Sequence, residues 1–270
     1  MTILKQFPSF LLFDKTTQHE LLLELKPNLK NEQYIKKVDN YLNVNDDYVM
    51  THLEQSNVKT LFLTDNAYPF LLKQIYDPPY ILFYRGAVEL LSHTQTLAII
   101  GARNATEYTT RALKQFFPAF KDMKLTIVSG LAKGADHLAH QLSLGYGMPS
   151  IAVLGFGHSH HYPKETYYTR LQIEQNGIAI SEYLPSSKPQ KYYFPQRNRI
   201  ISGLSKGVFV TEARRNSGTH ITTTSAIEQN REVYILPGSL FNPMTEGNML
   251  SAQDGARIVL KPNDITDDYR

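Results

Sequence analysis

TLAIIGARNATEY, residues 96–108, is an apolar run that ends on a glycine and then turns polar and charged. An unbroken apolar run of this length, closed by a glycine, is the pattern of a strand covered on both faces. The pattern returns downstream. LTIVS (125–129), SIAVL (150–154), GIAIS (177–181), GVFVT (207–211) and EVYIL (232–236) follow it, with helical periodicity in between. Their spacing of roughly 25–30 residues predicts βαβ units. The expected fold is α/β, a doubly wound, mostly parallel sheet. ARIVL (256–260) is expected to add an edge strand.

Upstream the rhythm changes. YILFYRG (80–86) predicts a short strand after the break at Pro78-Pro79. QHELLLELKPNLKNEQYIKKVDNYL (18–42) carries apolar residues at helical spacing, interrupted at Pro27-Asn28, and glycine is absent before Gly86. A small helical N-terminal region over 1–60, with three or four short helices, is therefore expected ahead of a main domain over 61–270.

Composition narrows the chemistry. The 270 residues carry a net charge of only +3, so the placement of the cations matters more than their sum. The absence of cysteine excludes disulfides, thiolate metal sites and cysteine nucleophiles. No run approaches the roughly 18 apolar residues of a membrane span. The opening MTILKQFPSFLLFDK lacks the basic start and apolar core of an export signal, so a cytoplasmic location is expected.

In open α/β sheets, ligands bind beyond the carboxyl ends of the strands. Those ends read GARNAT, SGLAKGAD, GFGHSHHYPK, SEYLP, TEARRNSGT and PGS, and four of the six join glycine to a basic residue or histidine. Gly101 lets backbone amides approach a phosphate, and Arg103 adds a planar charged fork. A dinucleotide fingerprint is missing: no G-x-G-x-x-G follows the strand, and Ser129-Gly130 stands where a ribose-binding acid is wanted. Ser129, Gly130 and Gly134 surround Lys133 like an anion cradle ahead of a helix opening at about Ala135, but without the P-loop order.

Asp136 and His140 share a helical face, and His158, His160 and His161 lie close in sequence. Lacking a second spaced carboxylate, they predict no metal site. Ser217-Gly218-Thr219 can cap a helix and offer free amides to an anion, reinforced by Arg214 and Arg215. Glu212 is expected to order those arginines through ion pairs.

KYYFPQRNRIISGLSKGVFV (191–210) packs Lys191, Tyr192, Tyr193 and Phe194 before Pro195. Rings interleaved with a cation suit a single-strand platform, on which bases stack while the cation follows the backbone. Pro195 predicts an extended Phe194. Arg197 and Arg199 are expected to flank a helix start at IISGLS. The competing reading makes Tyr192 or Phe194 a core residue and pairs one arginine with Glu182 or Glu212.

SGLAKGADHLAH, YPK, SEYLP, FPQRNRIISGLSKGVFVTEA, SGTHIT, VYILPGS and EGNMLSAQDGA, in this order and preceded by YPFLLKQIYDPPYILFYRG, resemble the DNA-processing protein A (DprA/Smf) family over roughly residues 61–260. The resemblance implies an extended Rossmann-like fold that binds single-stranded DNA without marked sequence preference. It implies protection of incoming DNA and loading of the RecA recombinase during natural transformation, as a homodimer, without hydrolysis or cofactor.

Carried over by motif, Gly101 and Arg103 serve the phosphates, and Ser129 and Gly130 offer backbone contacts. Lys164 and Lys191 lie along the DNA groove with Lys133. Phe194 approaches a base, Arg197 and Arg199 form the R-N-R signature, and Ser217-Gly218 turns near the same pocket. Met249, Leu250 and Ile258 would form the dimer interface.

GAD (134–136) departs from the commoner G-I-D, and SGTHIT from S-G-S-L-I-T. A C-terminal winged helix is not expected, and residues 1–60 are compared with the sterile-alpha-motif-like domain of some relatives. The alternative function is a nucleotide phosphoribohydrolase on a related fold. Its P-G-G-x-G-T-x-x-E pattern is poorly met by NSGTHITTTSAIE (216–228), which lacks the leading P-G-G.

Overall fold

A computed structural model describes Ile3, Phe7 and residues 9–270. The chain divides into two compact units, Met1–Gln55 and Ser56–Arg270. In the first, α1 (Lys15–Leu25) starts at Asp14, whose carboxylate accepts from Thr17 N at 2.9 Å. Asn31 caps α2 (Glu32–Leu42) in the same way through Gln33 N at 2.8 Å, and α3 (Asp46–Gln55) follows. These caps satisfy amides that the first helical turn leaves free. Phe10, Leu22 and Val38 form the small core beneath them.

The second unit is a nine-stranded sheet in the order β1-β2-β6-β5-β4-β3-β7-β8-β9. It opens with β1 (Lys59–Phe62), the short helix α4 (Phe70–Lys73) and β2 (Ile81–Gly86). Then β3 (Thr96–Ile100) leads through α5 (Glu107–Asp122) to β4 (Thr126–Ser129), and α6 (Ala135–Gly145) leads to β5 (Ser150–Leu154). Beyond α7 (Tyr167–Asn176), β6 (Ile178–Ser181) completes one half of the sheet. The chain returns through α8 (Tyr193–Gly203) to β7 (Gly207–Val210) on the other side of β3. From there α9 (Gly218–Glu228), β8 (Glu232–Ile235), α10 (Glu246–Gln253), β9 (Arg257–Ile258) and α11 (Asn263–Thr266) finish it. Strands β3 to β9 are parallel, while β2 runs antiparallel to both of its neighbours, β1 and β6.

The period-two alternation of a strand explains the two layers. Leu97 and Ile99 point to one face, where Phe116, Phe117 and Phe120 of α5 and Ala139 of α6 cover them. Ala98 and Ile100 share the other face with Ile200 and Ile201 of α8, Leu204 just after it and Ala226 of α9. All five residues of β3 are buried, as a strand covered on both sides must be. The fold is thus an extended Rossmann-like α/β sheet with a small helical N-terminal region. Its direction of winding reverses between β3 and β7, so the loops after these strands part at that point. No helix among the described residues is long and apolar enough to cross a membrane.

Several local expectations need correction. Lys59 and Thr60, expected in the helical region, open β1. The edge strand expected over 256–260 pairs only at Arg257 and Ile258. Helix α8 starts at Tyr193, seven residues before Ile200, so Phe194 is helical and both arginines lie inside the helix. Proline is at home in a first helical turn, where its missing N–H would have had no partner.

Candidate nucleic-acid interface

Two adjoining hollows of about 460 and 630 Å³ lie along the carboxyl ends of the parallel strands and share Arg103, Asn104, Ala132, Phe194 and Arg197. The first lies at the winding reversal, between the loop after β3 and the start of α9. Gly101, Lys191, Arg214, Ser217 and Gly218 line it. The second extends past Gly130 and Lys133 toward Tyr162 and Lys164. Together they form one groove.

The loop bearing Arg103 is held by backbone contact. A Cβ on Gly134 would lie 2.3 Å from Ala102 O and 2.4 Å from Arg103 O, and its φ of +83° also favours glycine. Ala135 N, at the start of α6, donates to Ala102 O at 3.2 Å. Arg103 itself is exposed, and its guanidinium carbon lies 5.9 Å from the centroid of the Phe194 ring. Among the described residues Arg103, Lys164, Lys191 and Arg214 are exposed, line the groove and make no ion pair. Lys133 also lines it but lies 3.7 Å from Glu165. Phe194 is half-buried, with one side against the buried cluster of Leu131, Leu154 and Phe156 and the other toward the groove.

Arg197 does different work. It is 4% exposed, and Nη1 donates to Gly130 O at 2.7 Å and to Val153 O, while Nε donates to Asn198 Oδ1 at 3.2 Å. This single guanidinium ties the ends of β4 and β5 to α8. A Cβ on Gly130 would stand 2.5 Å from it, so only glycine admits it there. Burial lowers the Arg197 pKa to about 10, with Asp136 pulling the other way, so it stays charged at neutral pH. Burial likewise pushes Asp136 up, against the pull of Arg197 and of backbone N–H groups, including Gly130 N at 3.1 Å.

Two further candidates turn away from the groove. Ser129 is buried and donates from Oγ to Ile99 O at 2.6 Å. Arg199 forms a two-pronged pair with Glu182 at 2.9 and 2.6 Å and donates to Asp77 O at 3.0 Å. That is the ion pair the competing reading of residues 191–199 anticipated. Neither Ser129 nor Arg199 lines either hollow.

Glu212 is structural, but not through arginines. Its Oε2 accepts from Thr106 N at 2.8 Å and Thr109 Oγ1 at 2.7 Å, and its Oε1 from Thr106 Oγ1 at 2.8 Å. A carboxylate at the start of α5 meets free amides and the positive end of the helix, which outcompetes an exposed arginine. The histidines also have structural partners: Ser150 Oγ for His140, Phe83 O for His158 and Ser186 O for His160. Burial pushes His140 down to about 3. No cluster suited to a metal ion occurs among the described residues.

Met249 is half-buried against the core, Leu250 is half-buried, and Ile258 is 45% exposed on the edge strand β9. Sequence reasoning passed over Asn104 and Tyr162 as groove residues. Tyr162 had one usable sign, its place beside proline in a strand-end loop.

Fold and groove together define a Rossmann-like α/β protein whose winding reversal carries unpaired cations around a half-exposed ring. The family model for DNA recombination-mediator protein A matches residues 59–270, and the chain belongs to that family. It is 39% identical over 217 residues to DNA processing protein DprA of Bacillus subtilis, covering 80% of this chain and 73% of that protein. The X-ray structure of DprA from Streptococcus pneumoniae has a TM-score of 0.84 at 32% identity, covering 98% of this chain and 93% of that one. DprA from Helicobacter pylori, described for its unique single-stranded DNA binding mode, has a TM-score of 0.71 at 28% identity. There the coverage is 79% of this chain and 97% of that one.

Proposed function

We propose that the groove binds single-stranded DNA and that the protein is a non-enzymatic recombination mediator. It would protect incoming DNA and load RecA on it in the cytoplasm during natural transformation, without a cofactor. The observation that carries the reading is the set of unpaired cations, Arg103, Lys164, Lys191 and Arg214, around Phe194. Cations follow a phosphate backbone of any sequence, and a ring accepts the face of any unpaired base. A duplex hides those faces, so the single strand is favoured. The family membership and the DNA-binding relative from Helicobacter pylori support the same reading.

The phosphoribohydrolase alternative needs a free carboxylate near the glycine turn. Both oxygens of Glu212 are taken by Thr106 and Thr109, and Glu228 ends α9, ten residues beyond Gly218.

Fluorescence anisotropy with single- and double-stranded oligonucleotides of equal length tests the binding. Neutralisation of four phosphates should give log K against log salt a slope of about −3, from about −0.7 per contact on a single strand. A flat response, or equal affinity for duplex, would remove the reading. Release of free base from AMP would favour the enzyme instead. A RecA ATPase on single strands that ignores the protein would leave binding and remove the mediator role.

The homodimer is proposed to form through Met249, Leu250 and Ile258. The edge strand β9 leaves one side unpaired, and Ile258 and Leu260 are exposed there at 45% and 72%. In analytical ultracentrifugation, Ile258→Glu should give monomers. A dimer that survives Ile258→Glu combined with Met249→Glu would place the contact elsewhere.

A further inference from the structure

The groove does not end at Phe194. Tyr162 is 47% exposed, lines the second hollow, and its ring centroid lies 5.6 Å from that of Phe194 at a tilt of 48°. Beside it His161 meets the edge of Tyr167 at 5.2 Å, and Tyr167 meets Tyr168 edge-on at 5.5 Å. Tyr167 and Tyr168 are 46% and 78% exposed. His161 lines the second hollow with Tyr162, and its ring contact with Tyr167, followed by that of Tyr167 with Tyr168, connects two exposed tyrosines outside both hollows to this end of the groove. The opposite end of the groove, at Arg214, Ser217 and Gly218, is cationic and polar.

We propose that this run of tyrosines is a second stacking subsite for single-stranded DNA, taking the bases that leave the groove beyond Phe194. The inference rests on the single-strand reading of the groove. Phe194 and Tyr162 touch, so bases lie over the rings in turn and not between them. Lys164, exposed and without an ion pair, is the cation of this segment; Lys133 is partly offset by Glu165 at 3.7 Å.

The segment is also built to hold its shape. Arg170, 3% exposed, donates to His158 O at 2.9 Å and to His160 O, and Glu174 fixes it at 2.7 Å. His158 Nε2 is bound to Phe83 O at 3.0 Å. The residues just before Tyr162 are thus pinned to α7 and β2, and binding need not first order them. A patch of exposed tyrosines on a mobile loop would have no such anchor.

The test uses the full chain and oligothymidylates of increasing length, each with 5-iododeoxyuridine at one position. On irradiation, cross-links should map to Phe194 at one position and to Tyr162 and Tyr168 at successive positions in one direction. In anisotropy, Tyr168→Ala should weaken a long oligonucleotide by about five- to 150-fold, as expected for one lost base stack. It should leave unchanged a short one of about six nucleotides, which fills only the groove. Tyr168→Phe should restore the long oligonucleotide, because stacking needs the ring and not the hydroxyl. Tyr168 is exposed enough that the alanine variant keeps the fold. Cross-links to Phe194 without any to the tyrosines, or a Tyr168→Ala loss equal at all lengths, would overturn the subsite and leave the groove standing. A wild-type chain that binds no short oligonucleotide would overturn the groove itself, and the subsite with it.

Discussion

Exchanging Arg197 for methionine is expected to cost about 3–5 kcal/mol of folding stability, the usual cost of removing one partner from a buried charged network. Methionine roughly fills the volume but donates nothing. Gly130 O and Val153 O lose their side-chain donor, and buried Asp136 loses the positive charge that opposes the upward push of burial on its pKa. Urea denaturation reads the loss directly. Adding Asp136→Asn should recover part of it, because two groups sharing one network are not additive. The affinity of the fraction that remains folded should change little. A variant of normal stability with weakened DNA binding would mean that Arg197 touches the nucleic acid.

Arg103→Ala should do the reverse. Its guanidinium is exposed and makes no ion pair, so the midpoint of denaturation should stay where it is. Binding of single-stranded DNA should weaken by about 1–3 kcal/mol, the range for a charge-assisted bond. The loss should be the same for every base composition, because a phosphate contact carries no sequence information. The salt slope should become shallower by about 0.7. A loss confined to one homopolymer would make Arg103 a reader of bases. Phe194→Ala offers the contrast: a similar loss of affinity with an unchanged slope, together with some loss of stability from its buried side.

The parallel strands were legible because burial on both faces leaves an apolar run with no gap to misread, as in β3. The N-terminal edge was not. In β1 only Leu61 is buried among its four residues, and one inward side chain makes no period. The start of α8 was obscured by Pro195, which reads as a break until its place in the first turn is known. The arginines show the limit most sharply. Arg197 and Arg199 sit two apart in one helix with similar neighbours, yet one meets carbonyls 67 and 44 residues away and the other a glutamate 17 residues away. Their distant partners, and not the local pattern, determine that neither is left exposed to the groove, as Arg103 and Arg214 are.

Arg197 also draws together segments that are far apart in the chain. During synthesis Gly130 and Val153 emerge well before the residue that joins both to α8. Closing loops of that length costs chain entropy that only the finished contact returns. The groove floor is therefore complete only when three separate segments have met. A nascent chain that has not reached α8 already carries the glycines and Arg103 but lacks the guanidinium that joins Gly130 O and Val153 O to that helix. A complete groove is in this sense a sign that the fold itself is complete.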